Sequence, residues 1–157
     1  VLMSFQIHAL SESGFADLFD LSDADLAKIS AKRIVVDAKP GFPCRVSLAE
    51  AEVGERVLLV NHQHQPHDTP YQASHAIFVR KDIKQARPNP DELPEVLKIR
   101  LLSLRGFNSC HDMIDADVAE GDDVGKTIRR MFGNPDIDYL HLHNAKQGCF
   151  AASVTRT

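Results

Sequence analysis

Within four residues the chain reads Pro40-Gly41-Phe42-Pro43. Each proline fixes its own φ and removes a backbone donor, and it pushes the residue before it out of the helical region. No regular element crosses such a stretch, so it forms a rigid turn. Lys39 leads into that turn and Cys44-Arg45 lead out of it. Other breaks fall at Pro66, at Pro88-Asn89-Pro90-Asp91, at Gly133-Asn134-Pro135 and at Ala145-Lys146-Gln147-Gly148. The elements between these breaks are short.

Ser4 to His8 alternates polar and apolar residues and reads as a first strand. Ser22 is an N-cap for a helix through Ile29, with Asp23 and Asp25 at the positive end of its dipole. Arg33 to Ala38 is β-rich, Ser47 to Glu52 fits one helical turn, and Arg56 to His64 is the clearest strand. Pro66 to Ser74 reads as a polar loop, followed by a short strand from Ala76 to Arg80. After a loop over Lys81 to Leu93, Pro94 opens a short helix through Lys98. Leu101–Phe107 and Met113–Ala119 form a hairpin, and Asp122–Phe132 a helix with Val124, Ile128, Met131 and Phe132 on one side. Ile137–Asn144 and Cys149–Thr155 form the last hairpin. These expectations amount to an α+β fold: a mainly antiparallel β-sheet with two or three covering helices, in one domain over residues 1–157.

A chain of this length buries roughly 69% of its extended surface and needs no staples. Eighteen basic against 22 acidic residues leave a net charge of −4, which argues against a nucleic-acid partner. Three cysteines are too few for a disulfide scaffold. The first 30 residues carry Glu12, Asp17, Asp20, Asp23 and Asp25 against Lys28, unlike a signal peptide. The longest apolar runs, such as Val57 to Val60, fall far short of the roughly 20 residues of a membrane span. The expected setting is the cytoplasm, with no membrane partner. Met3 reads as the natural start, with Val1 and Leu2 upstream of it.

Gly121 to Thr127 resembles a phosphate loop, but three residues separate its glycines where four are needed. Asp122 and Asp123 would also repel a phosphate, so the segment reads as an ordinary helix start. Histidines cluster twice, as His62, His64 and His67 and as His141 and His143. On strands, His62 with His64 and His141 with His143 each share a face. Two such strands side by side offer imidazoles to a metal, although no carboxylate sits at ligand spacing. The plainer reading is a half-exposed face lined with polar histidines.

The cysteines supply the other candidates. Cys44 stands beside Arg45 and Lys39, whose charges favour a thiolate. Cys110 lies in the polar turn Asn108 to Asp112 and is expected to be exposed. A four-residue loop in the last hairpin places Asn144 opposite Cys149 on one side, and His143 with Phe150 on the other. Buried free cysteines are commonly inert packing groups. Arg45 is a suitable anchor for a carboxylate or phosphate, or else the partner of an acid such as Asp37.

Pro40-Gly41-Phe42-Pro43-Cys44-Arg45-Val46-Ser47-Leu48, followed by Ala51-x-x-Gly54-Glu55-Arg56-Val57-Leu58-Leu59, resembles a bacterial family of unknown function, number 1203 in the domain-of-unknown-function series. Ile77-Phe78-Val79, Leu101 to Arg105, Asp115 to Val118 and His143-Asn144-Ala145-x-x-Gly148-Cys149-Phe150-Ala151-Ala152 continue the likeness along nearly the whole chain. The resemblance implies a stand-alone bacterial protein of about this length and brings no activity with it. His75-Ala76 replaces the Gly-Pro expected before the Ile-Phe-Val strand, and the His62–His67 cluster is richer than the family pattern.

The leading expectation is a small-ligand site, with catalysis left open, where the Cys44-Arg45 turn meets the His143–Cys149 hairpin. Cys44 or Cys149 would be the nucleophile and His143 or His62 the proton carrier. Arg45, His62 and Asn144 would hold a small anionic ligand, with no cofactor. One alternative is a metal held by His62, His64, His141 and His143. The other is an interaction or scaffold domain with no site.

Overall fold

A computed structural model describes residues 3–157. Val1 and Leu2, read above as lying upstream of the start, are outside the described residues. The strands are β1 (Phe5–His8), β2 (Ala31–Val35), β3 (Arg56–Gln65), β4 (Ala73–Arg80), β5 (Leu102–Phe107), β6 (Met113–Ala119), β7 (Tyr139–Asn144) and β8 (Phe150–Arg156). The helices are α1 (Asp23–Lys28), α2 (Glu95–Lys98) and α3 (Asp123–Phe132), with 3-10 turns at Glu12–Gly14 and Ala16–Asp20. The class is α+β with the helices minor. The expected single sheet is two: a five-stranded sheet ordered β1-β8-β7-β5-β6 and a three-stranded sheet ordered β2-β3-β4. All named strand pairs are antiparallel. No helix among the described residues is long and apolar enough to cross a membrane.

The larger core lies between the five-stranded sheet and α3. Val124, Ile128, Met131 and Phe132 recur at helical spacing and are buried against Phe5, Leu104, Leu140 and Val154. Each such side chain contributes about 1.5–3 kcal/mol on burial. Gly133 ends α3, and Arg156 from β8 satisfies its open end, donating through Nη2 to the Phe132 and Asn134 carbonyls at 2.9 Å each. On the same side, Arg130 donates to Asp117 of the edge strand β6 at 2.7 Å. The smaller core gathers Phe15, Leu26, Leu58, Val60, Ile77 and Val79 under the segment from Phe15 through α1. Ser22 caps α1 as expected, accepting from the Asp25 N–H at 3.1 Å.

The segment after Pro43 joins the two sheets. Cys44 forms a parallel bridge to Phe78 of β4, and Arg45 N–H donates to the Phe78 carbonyl at 3.1 Å. Leu10, just past β1, donates to the Arg45 carbonyl at 3.0 Å. The helical turn expected over Ser47–Glu52 is corrected to a closed loop. Pro43 pairs with Glu50, Cys44 N–H reaches the Ala49 carbonyl at 3.0 Å, and Leu48 takes a left-handed φ of 49°. That loop closure removes the residues a helix would need. Other expected elements differ at their ends, most clearly β4, which begins at Ala73.

Gly148 closes the last hairpin with φ of 80°, a conformation that costs an L-residue about 1–2 kcal/mol. Its carbonyl also accepts from His143 Nδ1 at 3.0 Å. Gly148→Ala is expected to destabilise the protein by about 1–2 kcal/mol in urea unfolding. An unchanged midpoint would mean that the hairpin turn relaxes without cost.

Candidate functional site

The alternation of β7 sorts its side chains onto two faces. Leu140 and Leu142 enter the larger core, while His141 and His143 face β3 and Phe150. Asn144 falls on the Leu142 side by the same alternation. Two clusters result, one on each side of the strand.

The first cluster forms where the Pro40–Arg45 turn meets the last hairpin. Arg45 is only 2% exposed. Its Nε donates to the Phe150 carbonyl at 2.7 Å, its Nη1 to the Pro43 carbonyl at 2.5 Å and its Nη2 to Cys149 Sγ at 2.9 Å. Among the described residues no carboxylate pairs with it, Asp37 included. Burial pulls the Arg45 pKa below its ordinary value, and the contact with Cys149 opposes that shift. Asn144 Nδ2 approaches Cys149 Sγ at 3.5 Å, and its backbone N–H donates to the Cys149 carbonyl at 2.8 Å. Asn144 Oδ1 is buried without a hydrogen-bond partner.

The turn and the hairpin expected to meet are therefore in contact, through Arg45, Cys149 and Asn144. Cys44 is not part of this contact. It is 1% exposed, packs in the smaller core, and accepts only the Ser47 and Arg80 N–H groups at 3.4 Å. The direct contacts of the two cations lie elsewhere: the Arg45 guanidinium donates to Cys149 and acts on Cys44 only through space, and Lys39 pairs with Glu52. Adjacent residues on an extended chain point apart, which separates Arg45 from Cys44. Cys110 is exposed as expected.

A pocket of about 280 Å³ opens beside Asn144, lined by Ile99, Arg100, Leu101, Glu120, Asn144, Lys146 and Gln147. Arg100 is braced there by an ion pair with Glu50 and by a 2.8 Å bond to the Val96 carbonyl. Glu50 Oε2 accepts from the Gly41 and Phe42 N–H groups at 3.0 Å each. The proline-rich turn thus positions Arg45 directly and Arg100 through Glu50. Sequence reading missed Arg100 and Lys146, because nothing local marks a cation as a pocket wall.

The second cluster lies between the sheets. His64 stands 4.8 Å from His143 and 6.0 Å from His141, ring to ring, and stacks on Phe150 at 5.4 Å. His62 stands apart, between Phe15 at 5.9 Å and Phe150 at 6.3 Å. The four strand histidines therefore do not form one ligand set. Among the described residues no group of three or more His, Cys, Asp or Glu side chains is placed to hold a metal ion. Arg105 of β5 faces this cluster and was not singled out from the sequence. Its period-2 pattern with Ser103, between Leu102, Leu104 and Gly106, is the signal that would have found it.

A family model described as a protein of unknown function (DUF1203) matches residues 41–156. No curated protein matches the chain, and no solved structure does.

Burial lowers the imidazoles of the second cluster. His141 and His143 are pushed down to about 3 and His64 to about 4, with Arg105 adding to each shift. All three are thus neutral in the fold but take a proton near 6.5 when unfolded. Stability is complete above pH 6.5 and falls as the pH drops from there toward the folded values. For the nearly buried pair His141 and His143 the loss is at most about 1.4 kcal/mol per group per pH unit. The urea midpoint is expected to fall between about pH 7 and about pH 5, and to fall less steeply in His141→Gln. An equally steep fall in that variant would place the titrating groups elsewhere.

Proposed function

The chain belongs to the DUF1203 family, whose description carries no activity, and we propose that it is a small-ligand protein with Cys149 as its reactive group. One observation carries this reading: a buried guanidinium without a carboxylate partner donates to the Cys149 sulfur at 2.9 Å. A buried guanidinium persists where its N–H groups are satisfied, and one of them is directed here at the sulfur that also contacts Asn144 on the pocket wall. In this reading Arg45 supplies the charge and Asn144 orients the sulfur. Arg100 and Lys146 draw a small anionic ligand into the neighbouring pocket. His143 acts as a positioning residue, since its Nδ1 holds the Gly148 carbonyl from the opposite face of β7. The proposed setting is the cytoplasm, where thiols stay reduced.

A second reading is structural. Arg45 also donates to the Pro43 and Phe150 carbonyls, and these bonds alone tie the turn to β8. On that reading the chain is a scaffold without chemistry, and Cys149 fills space.

Alkylation by a charged and an uncharged reagent separates the two. Iodoacetate and iodoacetamide would be compared on the folded protein, with peptide mass spectrometry reading Cys149 against the exposed Cys110. The reactive-site reading expects iodoacetate to be favoured over iodoacetamide at Cys149, relative to Cys110, by roughly ten-fold. Lys146→Ala should reduce that preference. A Cys149 that resists both reagents while Cys110 reacts would leave the structural reading standing.

A further inference from the structure

The face of β7 opposite Cys149 carries the second inference, which does not rest on the reactive-thiol reading. In the five-stranded sheet Arg105 of β5 pairs directly with His141 of β7, and Ser103 pairs with His143. Side chains in such pairs stand about 4.5–5.5 Å apart at Cβ on one face. These four form a polar square on the sheet, and His64 of β3 lies over its histidine side.

The square carries one positive charge, that of Arg105, and no acid balances it. The one hydrogen bond of the Arg105 side chain among the described residues runs from Nε to Ser103 Oγ at 3.2 Å, leaving its outer nitrogens open. No described salt bridge includes Arg105. The groups acting electrostatically on His64, His141 and His143 are one another, His62, His67, His75 and Arg105, with no carboxylate among them. His141 is 6% exposed, and its Nδ1 is buried without a partner, as is His64 Nδ1. A buried polar atom left unpaired is costly, so a ligand that satisfies it gains accordingly. The shelf is reachable from one side. Ser103 and Arg105 are part-exposed, and their β6 neighbours Val118 and Ala116 are exposed.

We propose that this shelf binds a tetrahedral oxyanion of the phosphate class, held by Arg105, His64 and His141. A cation would meet the Arg105 charge with no acidic group to offset it. An oxyanion instead meets a guanidinium fork and imidazoles that become full donors on taking a proton. His143 keeps its Nδ1 on the Gly148 carbonyl and so presents its other nitrogen to the shelf. Binding should draw protons onto the histidines and strengthen as the pH falls toward their range.

The probe is inorganic phosphate added to the intact protein slightly below neutral pH. Histidine ring resonances would be followed by NMR and the heat of binding measured in two buffers of different ionisation enthalpy. Phosphate is expected to shift the His64, His141 and His143 resonances together and to take up protons. Arg105→Gln should weaken binding at least about ten-fold, or about 1.4 kcal/mol, without changing the alkylation of Cys149. Should Arg105→Gln fail to fold, Arg105→Lys keeps the charge and loses the fork, and should bind several-fold more weakly. The proposal falls if phosphate leaves the three resonances unmoved, or if neither Arg105 variant weakens binding. It falls equally if Lys146→Ala abolishes binding, which would place the anion in the pocket beside Asn144. Zinc shifting the same resonances where phosphate does not would make the shelf a cation site and overturn it as well.

Discussion

The contact on which the arrangement most depends is the Arg45 side chain lying across the junction of the turn and the last hairpin. A fully buried guanidinium is costly to desolvate, and it persists where its N–H groups are satisfied in fixed geometry. Here the acceptors are two backbone carbonyls and a sulfur, from Pro43, Phe150 and Cys149. Because two are main-chain atoms, the position of Arg45 specifies where β8 lies against the turn, independently of the side chains on β8. The same turn bonds Phe78 of β4 and Leu10 beyond β1, so one short segment sets both sheets.

β7 shows how a single strand serves two environments. One face supplies Leu140 and Leu142 to the core under α3, and the other supplies two imidazoles to the gap below β3. Nearly every β7 side chain is buried, so both faces are sheltered from water. In that setting the histidines stay neutral and Arg105 is felt strongly, because few water dipoles screen it. The sulfur of Cys149 and the imidazoles are thus kept apart by the strand itself.

Much of the fold could be read from local pattern. α3 declared itself through the spacing of Val124, Ile128, Met131 and Phe132, and the last hairpin through Gly148 and the alternation on either side of it. The loop from Pro43 to Glu50 could not be read, because its closure depends on a bridge across six residues and on a left-handed Leu48. Nothing in the composition separates two sheets from one, since that choice depends on which strand edges meet. At the candidate site, the meeting of Arg45 with the hairpin followed from two rigid motifs needing somewhere to pack. Its sulfur partner did not follow, because proximity in sequence favoured Cys44. The pocket cations and Arg105 come from separate segments and become neighbours only through strand order.

The edge strand β6 is bordered by another strand on one side only. In its sequence Met-Ile-Asp-Ala-Asp-Val-Ala, between exposed Ile114 and Val118, the Ala116 and Val118 N–H groups donate to Asp115 and Asp117 Oδ1 at 2.9 and 2.8 Å. Two copies of the chain meeting through this edge, antiparallel about Ala116, would set Asp115 of each against Asp117 of the other. Like charges directly opposed are unfavourable on a sheet, and Arg130 already holds both aspartates on the α3 side. The rim therefore discourages self-templating, the first step toward fibrillar stacking, because its aspartates both oppose one another across such a seam and occupy N–H groups that a second strand would need.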